Sequence, residues 1–526
     1  MLSLLFLAWI GCAPSEPATK SAPASTEPSG PQCGDRDKQP DVVFLTVDTL
    51  RADHLGYAGY PKARTPNLDA LAARGHVFEQ AITPVPRTTP ALGSLLTGLS
   101  PHRHGAREVG EKMTATETVA THLKERGWQT VGVSAIRVAG PDQNLDRGFD
   151  SFDVLHDSPA DLLTKHTLSK VANVSAACPL FLWIHYADPH FPYLPPPRWK
   201  DQPEAPKCRA LGKKANQGKL ARHKLFGNRN GSAEAVLDEC TELYDAEIAF
   251  TDHAIGALFK GLEAMGRTKP IVAFTADHGE NLGEWGLYFE HGPNVHDASL
   301  RVPLVMAGPE IPTGRTRAVA RVEDIAPTVL SMVAPDIQTV SLDGRSLQGS
   351  WTQKGDPQWT SAESGSPLHA RLGGYLVTGR KHRLHCIDGP RFALCKKPKS
   401  APKLFERSKD PDLKKNIIDK YPAEARSLQE AWKNWPVERT RQRIIRTNQF
   451  SLVGHPQLAG GYAIELYDHV ADPSMSTDVQ DRHPTILAEL TKELREWNTE
   501  LDAFNTPVPK RSLEQEEALR SLGYIE

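Results

Sequence analysis

Residues 41–47, Asp-Val-Val-Phe-Leu-Thr-Val, are apolar almost without interruption and rich in β-branched side chains, and an acid, Asp48, follows them directly. A strand that is apolar on both faces has to be covered on both. That pattern belongs to a parallel sheet clad in helices rather than to an antiparallel sheet with one wet side. Similar runs return at residues 130–134, 180–186, 271–275 and 302–306, and helical periods at 67–74, 119–126 and 235–262 separate them. This alternation predicts an α/β fold around a doubly covered, mostly parallel sheet. The 526 residues suffice for one such domain over 41–350, a smaller α+β subdomain over 361–500 and a tail at 501–526.

In open α/β sheets, ligands gather beyond the carboxyl ends of the strands. The first run ends there in Asp48, and Ile271-Val272-Ala273-Phe274-Thr275-Ala276 leads into Asp277 and His278. Two carboxylates and an imidazole suit one divalent cation, with Zn²⁺ or Mn²⁺ favoured by the mixed donors and Ca²⁺ or Mg²⁺ by a purely oxygen set. An Asp-His pair alone would equally be a turn with a solvated histidine; its pairing with Asp48 favours the ligand reading. A third segment, residues 85–98, reads Val-Pro-Arg-Thr-Thr-Pro-Ala-Leu-Gly-Ser-Leu-Leu-Thr-Gly. Pro90 suits a first helical turn, so a helix over 91–96 would aim its N-terminus at whatever Thr88 binds, which suits an anion. A hydroxyl on a divalent cation is acidified, so Thr88 is expected as both ligand and nucleophile. The plainer alternative is a helix-capping threonine.

The ends of the chain bear on location. Residues 2–10 form an apolar run too short to span a bilayer but long enough for a signal core, and it closes on Gly11-Cys12. Segment 1–12 resembles a lipoprotein signal with Cys12 as the lipidated residue, and residues 13–40, rich in Ser, Pro, Ala and Thr, read as a disordered tether. An exported protein of the periplasm or cell surface is expected, touching a membrane only through that lipid. Six further cysteines allow up to three disulfides in any of fifteen connectivities; the short loop between Cys386 and Cys395 makes them the safest pair. A net charge of −2 provides no field to recruit nucleic acid.

Several short motifs in register carry a family resemblance: Val47-Asp48-Thr49-Leu50-Arg51-Ala52-Asp53, Thr65-Pro66-Asn67-Leu68-Asp69, Ser94-Leu95-Leu96-Thr97-Gly98, Asp188-Pro189-His190-Phe191-Pro192-Tyr193, Asp277-His278-Gly279-Glu280 and Arg301-Val302-Pro303-Leu304. In these the chain resembles the sulfatase family of the alkaline phosphatase superfamily, strongly from 41 to about 350. The resemblance implies metal ligands at Asp48, Asp277 and His278, the nucleophile position at Thr88, and a substrate-contacting histidine at His190.

Four departures bear on the chemistry. The family places Cys or Ser, the precursors of formylglycine, at the position of Thr88, and an arginine at that of Leu92. Its Lys-x-His is replaced by Ala135-Ile136-Arg137, and its second N-terminal Asp by Thr49. Threonine at this point resembles superfamily members that attack phosphorus, so hydrolysis of a phosphoester, or phosphoryl transfer, is expected through Thr88. His291-Gly292 is similar to a His-Gly element of those relatives. His190 and His291 then become candidates to bind the ester and protonate the leaving oxygen, and Arg87 to supply the missing positive charge. The substrate would be a small-molecule, glycan or lipid ester. A sulfatase working without formylglycine and an inactive surface binding protein on the same fold are the alternatives.

The last third contains an internal repeat: residues 404–435 align without gaps to 466–497, pairing Asp410 with Asp472, Pro422 with Pro484 and Trp435 with Trp497. Each copy predicts an Asp-Pro turn followed by an amphipathic helix that starts near a proline, a duplicated packing element.

Overall fold

The apolar run after Asp41 becomes strand β1 (Val42–Val47), buried at all six positions. The computed structural model describes residues 33–216, 234–352, 360–363, 369–372, 375–380, 384–388, 392–396, 401–406, 415–433, 441–456 and 462–503. In it β1 lies inside a nine-stranded sheet. The remaining strands of the region are β2 (His76–Ile82), β3 (Gln129–Ser134), β4 (Ser151–Val154), β5 (Leu180–Tyr186), β6 (Ile271–Ala276), β7 (Asn281–Leu282), β8 (Tyr288–Glu290), β9 (Arg301–Val302), β10 (Leu304–Ala307) and β11 (Gly314–Arg321). Their order is β11-β2-β10-β6-β1-β5-β3-β4, with β9 paired to β2 and β7-β8 forming a separate hairpin. Strands β4, β3, β5, β1 and β6 are parallel, and β10 lies antiparallel between β6 and β2. Helices cover both sides, among them Pro66–Ala73, Val119–Glu125, Ala160–Val171 and Leu237–Ala264. At about 2 kcal/mol per fully buried side chain, the five apolar residues of β1 tie it to the core by roughly 10 kcal/mol.

Register places the chemistry. Val47 pairs with Ala276 on one side and Tyr186 on the other, so β1, β5 and β6 end level with one another. Neighbouring strands lie about 4.8 Å apart, so the next residues, Asp48 and Asp277, leave the sheet side by side.

Local differences from the sequence pattern have physical causes. The strand expected over 302–306 is split into β9 and β10 around Pro303, which has no N–H to give a ladder. The expected helix over 91–96 starts earlier, as Thr88–Thr97, with Thr88 its first residue. Strands β2, β4 and β11 did not stand out because polar residues interrupt them. Residues 33–40, expected as tether, are docked instead. A Cys33–Cys178 disulfide holds them, Gly34 N–H donates to Gly127 O at 2.9 Å, and Arg36 donates to Asp41 Oδ2 at 2.9 Å. These polar and covalent anchors act without the hydrophobic burial that composition measures. Cys12 and the rest of residues 1–32 lie outside the described residues. A second disulfide, Cys208–Cys240, ties helix Pro206–Asn216 to helix Leu237–Ala264. Cys386 and Cys395 occupy directly opposed positions of adjacent antiparallel strands.

The two repeat copies form the same elements in the same order. A strand (Lys403–Glu406 or Tyr462–Asp468) is followed by a 3₁₀ turn (Ile418–Lys420 or Gln480–Arg482) and a helix starting at Pro422 or Pro484. Matching bonds accompany them: Ile417 N–H donates to Leu404 O at 2.8 Å, and Val479 N–H to Leu466 O at 2.7 Å. The second helix packs Leu490 and Leu494 against Ile445, Leu452 and Leu466 of a four-stranded antiparallel sheet.

That sheet is joined to the region of the nine-stranded sheet through a buried ionic group. Glu363 accepts from Arg107 Nη2 at 2.8 Å, with Arg443 Nε at 3.8 Å and Arg441 Nη1 at 3.9 Å. Against the cost of burial, Arg107, Arg441 and Arg443 hold its carboxyl at about 2, below the usual 4.5. A depressed folded-state pKa contributes stability that is complete above the unfolded value and is lost as pH falls through the folded one. The gap is worth about 3 kcal/mol at neutral pH. Glu363→Gln should therefore lower the melting temperature most at pH 7 and progressively less between pH 4.5 and 2. Thermal unfolding at several pH values checks this, and an unchanging wild-type-to-variant difference would refute it.

Candidate active site

Beyond the level ends of β1 and β6, ligand atoms of Asp48, Asp277 and His278 lie within 4.8 Å of one another, all three residues being buried. Nε2 of His278 is 3.4 Å from Asp277 Oδ2 and 3.8 Å from Asp48 Oδ1. Backbone amides aim the second carboxylate, since Asp277 Oδ1 accepts from His278 N at 2.8 Å and from Thr49 N at 3.2 Å. Nδ1 of His278 lies 3.0 Å from its acceptor, Gly279 O, so that nitrogen carries the hydrogen and Nε2 turns its lone pair to the cluster. Thr49 sits at φ 54°, a costly value for a β-branched residue. It is held there by its bond to Asp277 and by Tyr244, whose hydroxyl donates to Thr49 O at 2.7 Å.

The donors fit a cation. Asp48 Oδ1, Asp48 Oδ2 and Asp277 Oδ2 are buried without a hydrogen-bond partner of normal geometry, an arrangement expensive for carboxylates left to themselves. Burial first, then Asp277 and Glu280, push the Asp48 carboxyl well above its usual range, and burial pushes Asp277 up to about 7. Burial also drives His278 well below 6.5, which keeps the imidazole neutral. A divalent cation reverses the carboxylate shifts by supplying the missing positive charge. Among the described residues, this is the group of three or more His, Cys, Asp and Glu with metal-ligand spacing. Asp188 stands apart from it, its carboxyl accepting from Ala160 N at 2.9 Å.

Thr88 arrives from the chain that leaves β2. It is the first residue of its helix, fully buried, and its Oγ1 lies 3.4 Å from His278 Nε2. Its hydroxyl also works against the upward push of burial on the Asp277 carboxyl. The helix therefore presents this hydroxyl at its positive end, against the cluster. Leu92 is buried in the core.

The histidines and the arginine gather on the same side. His291 stacks on His278 with ring centroids 4.2 Å apart, and His190 meets His291 edge-on at 5.4 Å. Glu280 Oε1 orients His291 through Nδ1 at 3.1 Å, while Tyr193 donates to Glu280 Oε2 at 3.2 Å. Arg87 is buried, donates to His291 O at 3.0 Å and has Glu290 at 3.8 Å. Gly292 is required beside it: φ is 97°, and a side chain there would meet the guanidinium. Sequence reasoning quoted Glu280 without assigning it a task, and it missed His185. The signal for His185 was an imidazole in the otherwise apolar β5; burial pushes it down to about 3.

The Sulfatase family model matches residues 40–334 of the chain. An ulvan-active sulfatase of Formosa agariphila is 28% identical over 337 residues; the match takes in 57% of this chain and 62% of that relative's length. An arylsulfatase of Clostridium perfringens is 25% identical over 384 residues, 59% of this chain and 78% of that protein. Among solved structures, the phosphonate monoester hydrolase of Agrobacterium radiobacter superposes with a TM-score of 0.60 at 18% identity, covering 88% of this chain and 96% of its own.

Proposed function

Because the chain belongs to the sulfatase family, whose enzymes use a divalent metal, we propose that it is a metal-dependent ester hydrolase that attacks phosphoesters through Thr88. The observation that carries the reading is the Thr88 hydroxyl at a helix N-terminus, 3.4 Å from His278 Nε2. Asp48, Asp277, His278 and Thr88 would hold one cation, with Mn²⁺ or Zn²⁺ favoured over Ca²⁺ or Mg²⁺ by the mixed oxygen and nitrogen donors. Bound there, it supplies positive charge that acidifies the hydroxyl and neutralises the ester oxygens.

The residues then divide the work. Thr88 Oγ1, its acidified hydrogen given up to solvent, would form the bond to phosphorus. The first amides of the Thr88–Thr97 helix face the ester oxygens, and Arg87 adds charge to that side. His190 or His291 protonates the leaving oxygen as its bond to phosphorus breaks, a task suited to an imidazole near neutral pH. Water, or an alcohol in a transferase, then releases the phosphoryl group from Thr88.

Sulfate-ester hydrolysis without formylglycine is the second reading, favoured by the sulfatases among the relatives. A small-molecule or glycan substrate suits either; one structure of the same fold was solved with D-glucosamine-2-N,6-O-disulfate as its substrate, with TM-score 0.61. The proposed location is the periplasm or cell surface through a lipid on Cys12. The two disulfides support an oxidising compartment, and no helix among the described residues is long and apolar enough to cross a membrane.

The deciding experiment is a panel of aryl phosphodiesters, phosphomonoesters and sulfates, assayed alongside metal content. Stoichiometric metal with phosphoester turnover well above sulfate turnover is expected. The reverse ranking selects the sulfatase reading, and protein without metal or activity selects a binding protein.

A further inference from the structure

The cluster has an unsatisfied atom behind it. His185 sits in β5 opposite Thr46 of β1, fully buried, and its Nε2 has no hydrogen-bond partner of normal geometry. It lies 3.9 Å from Asp48 Oδ2, which has none either. His185 does not belong to the group whose ligand atoms lie within 4.8 Å of one another, so it is not a fourth ligand of that group. It faces one oxygen of Asp48, while the other, Oδ1, faces His278 Nε2 at 3.8 Å.

The neighbouring bonds decide which ring nitrogen holds the hydrogen. Trp183 Nε1 can only donate, and it gives its hydrogen to Thr46 Oγ1 at 3.0 Å. The Thr46 hydroxyl has one hydrogen of its own, with His185 Nδ1 at 2.9 Å and Ile184 O at 3.1 Å. Ile184 lies inside β5, paired on both sides in the sheet. The nearer, ring-nitrogen acceptor has no such ladder. Sending the hydrogen to Nδ1 makes Nε2 the N–H, which turns the positive edge of the ring toward Asp48 Oδ2 across 3.9 Å, an electrostatic contact longer than a hydrogen bond. The opposite tautomer would face two buried lone pairs with each other across that 3.9 Å, where they repel.

We infer that His185 is a positioning residue: in a relay from Trp183 through Thr46, it turns its Nε2–H toward Asp48 Oδ2 and so favours the presentation of Asp48 Oδ1 to the cation. The inference rests on the cation reading above and adds to it the support that orients a ligand. Outer partners of this kind typically contribute about 10–100-fold to metal affinity.

The test uses the full-length protein and Mn²⁺ alone, with affinity read by electron paramagnetic resonance. His185→Leu should weaken Mn²⁺ binding by about 10–100-fold. Thr46→Val should weaken it in the same direction, and Thr46→Ser, which keeps the hydroxyl, should restore it. Long-range nitrogen NMR of metal-free wild type should find the hydrogen on Nε2 of His185, a readout that stands even if His185→Leu does not fold. A hydrogen on Nδ1, or a folded His185→Leu with unchanged Mn²⁺ affinity, overturns the assignment alone. A wild type that takes up no Mn²⁺ overturns the cation reading and this inference together.

Discussion

Thr88→Ala is expected to reduce ester turnover by about 10⁴-fold or more while the protein stays folded and keeps most of its metal. The size follows from the bond it deletes. Without Oγ1 no covalent intermediate forms, and what remains is charge stabilisation by the cation, the helix amides and Arg87. Stability should change little, because the change removes one hydroxyl and one methyl group from a helix whose other residues keep their packing; about 1–2 kcal/mol is the expected cost. Thr88→Ser restores the hydroxyl without the methyl and should recover much of the activity. The measurements are kcat/KM on the preferred aryl ester, metal stoichiometry, and intact mass after rapid quench, where wild type but not Thr88→Ala should gain a phosphoryl group. Activity retained in a metal-loaded Thr88→Ala would show that the hydroxyl is a helix cap and nothing more.

Asp277→Asn should abolish activity and yet relieve the metal-free protein. With the cation removed by a chelator, Asp277 is a buried carboxyl whose pKa lies near 7 instead of 3.8. A group raised in the folded state stabilises below its unfolded pKa and loses that contribution as pH rises through the folded value. The melting temperature of chelated wild type should therefore fall between pH 4 and 8, and Asp277→Asn should flatten that decline. In metal the order reverses. An ion present at about a thousand times its Kd stabilises the wild type by about 4 kcal/mol, a gain the variant forfeits together with one ligand. Calorimetry at matched pH, with chelator and with Mn²⁺, reads both arms. A chelated wild type as stable at pH 8 as at pH 4 would contradict the buried-carboxylate account.

How much was legible beforehand differs from residue to residue. Asp48 and Asp277 were visible because each ends a strand that could only be central, and strand ends in such sheets collect at one edge. The same logic identified β1, β5 and β6 to within about a residue. It failed for β2, whose Glu79 and Gln80 break the apolar run, and for the split at Pro303. Thr88 was legible as a candidate and its helix start was not, since propensity does not locate the first turn. The docking of residues 33–40 was hidden because a disulfide and Arg36 act at sequence distances of 145 and 140 residues that local composition cannot register.

The amino-acid sequence by itself determined the layered α/β architecture, the family, and which side chains are chemically able to hold a cation. These depend on hydrophobic periodicity and residue type, which are properties of short segments. Only the tertiary structure decided that β1, β5 and β6 end level. It also brought His291 onto His278 with Glu280 behind it, and left His185 facing the far oxygen of Asp48. Those relations join residues up to 229 positions apart in the chain, from Val47 to Ala276. They are set by strand register and side-chain packing, whose energies exist only once the layers have closed.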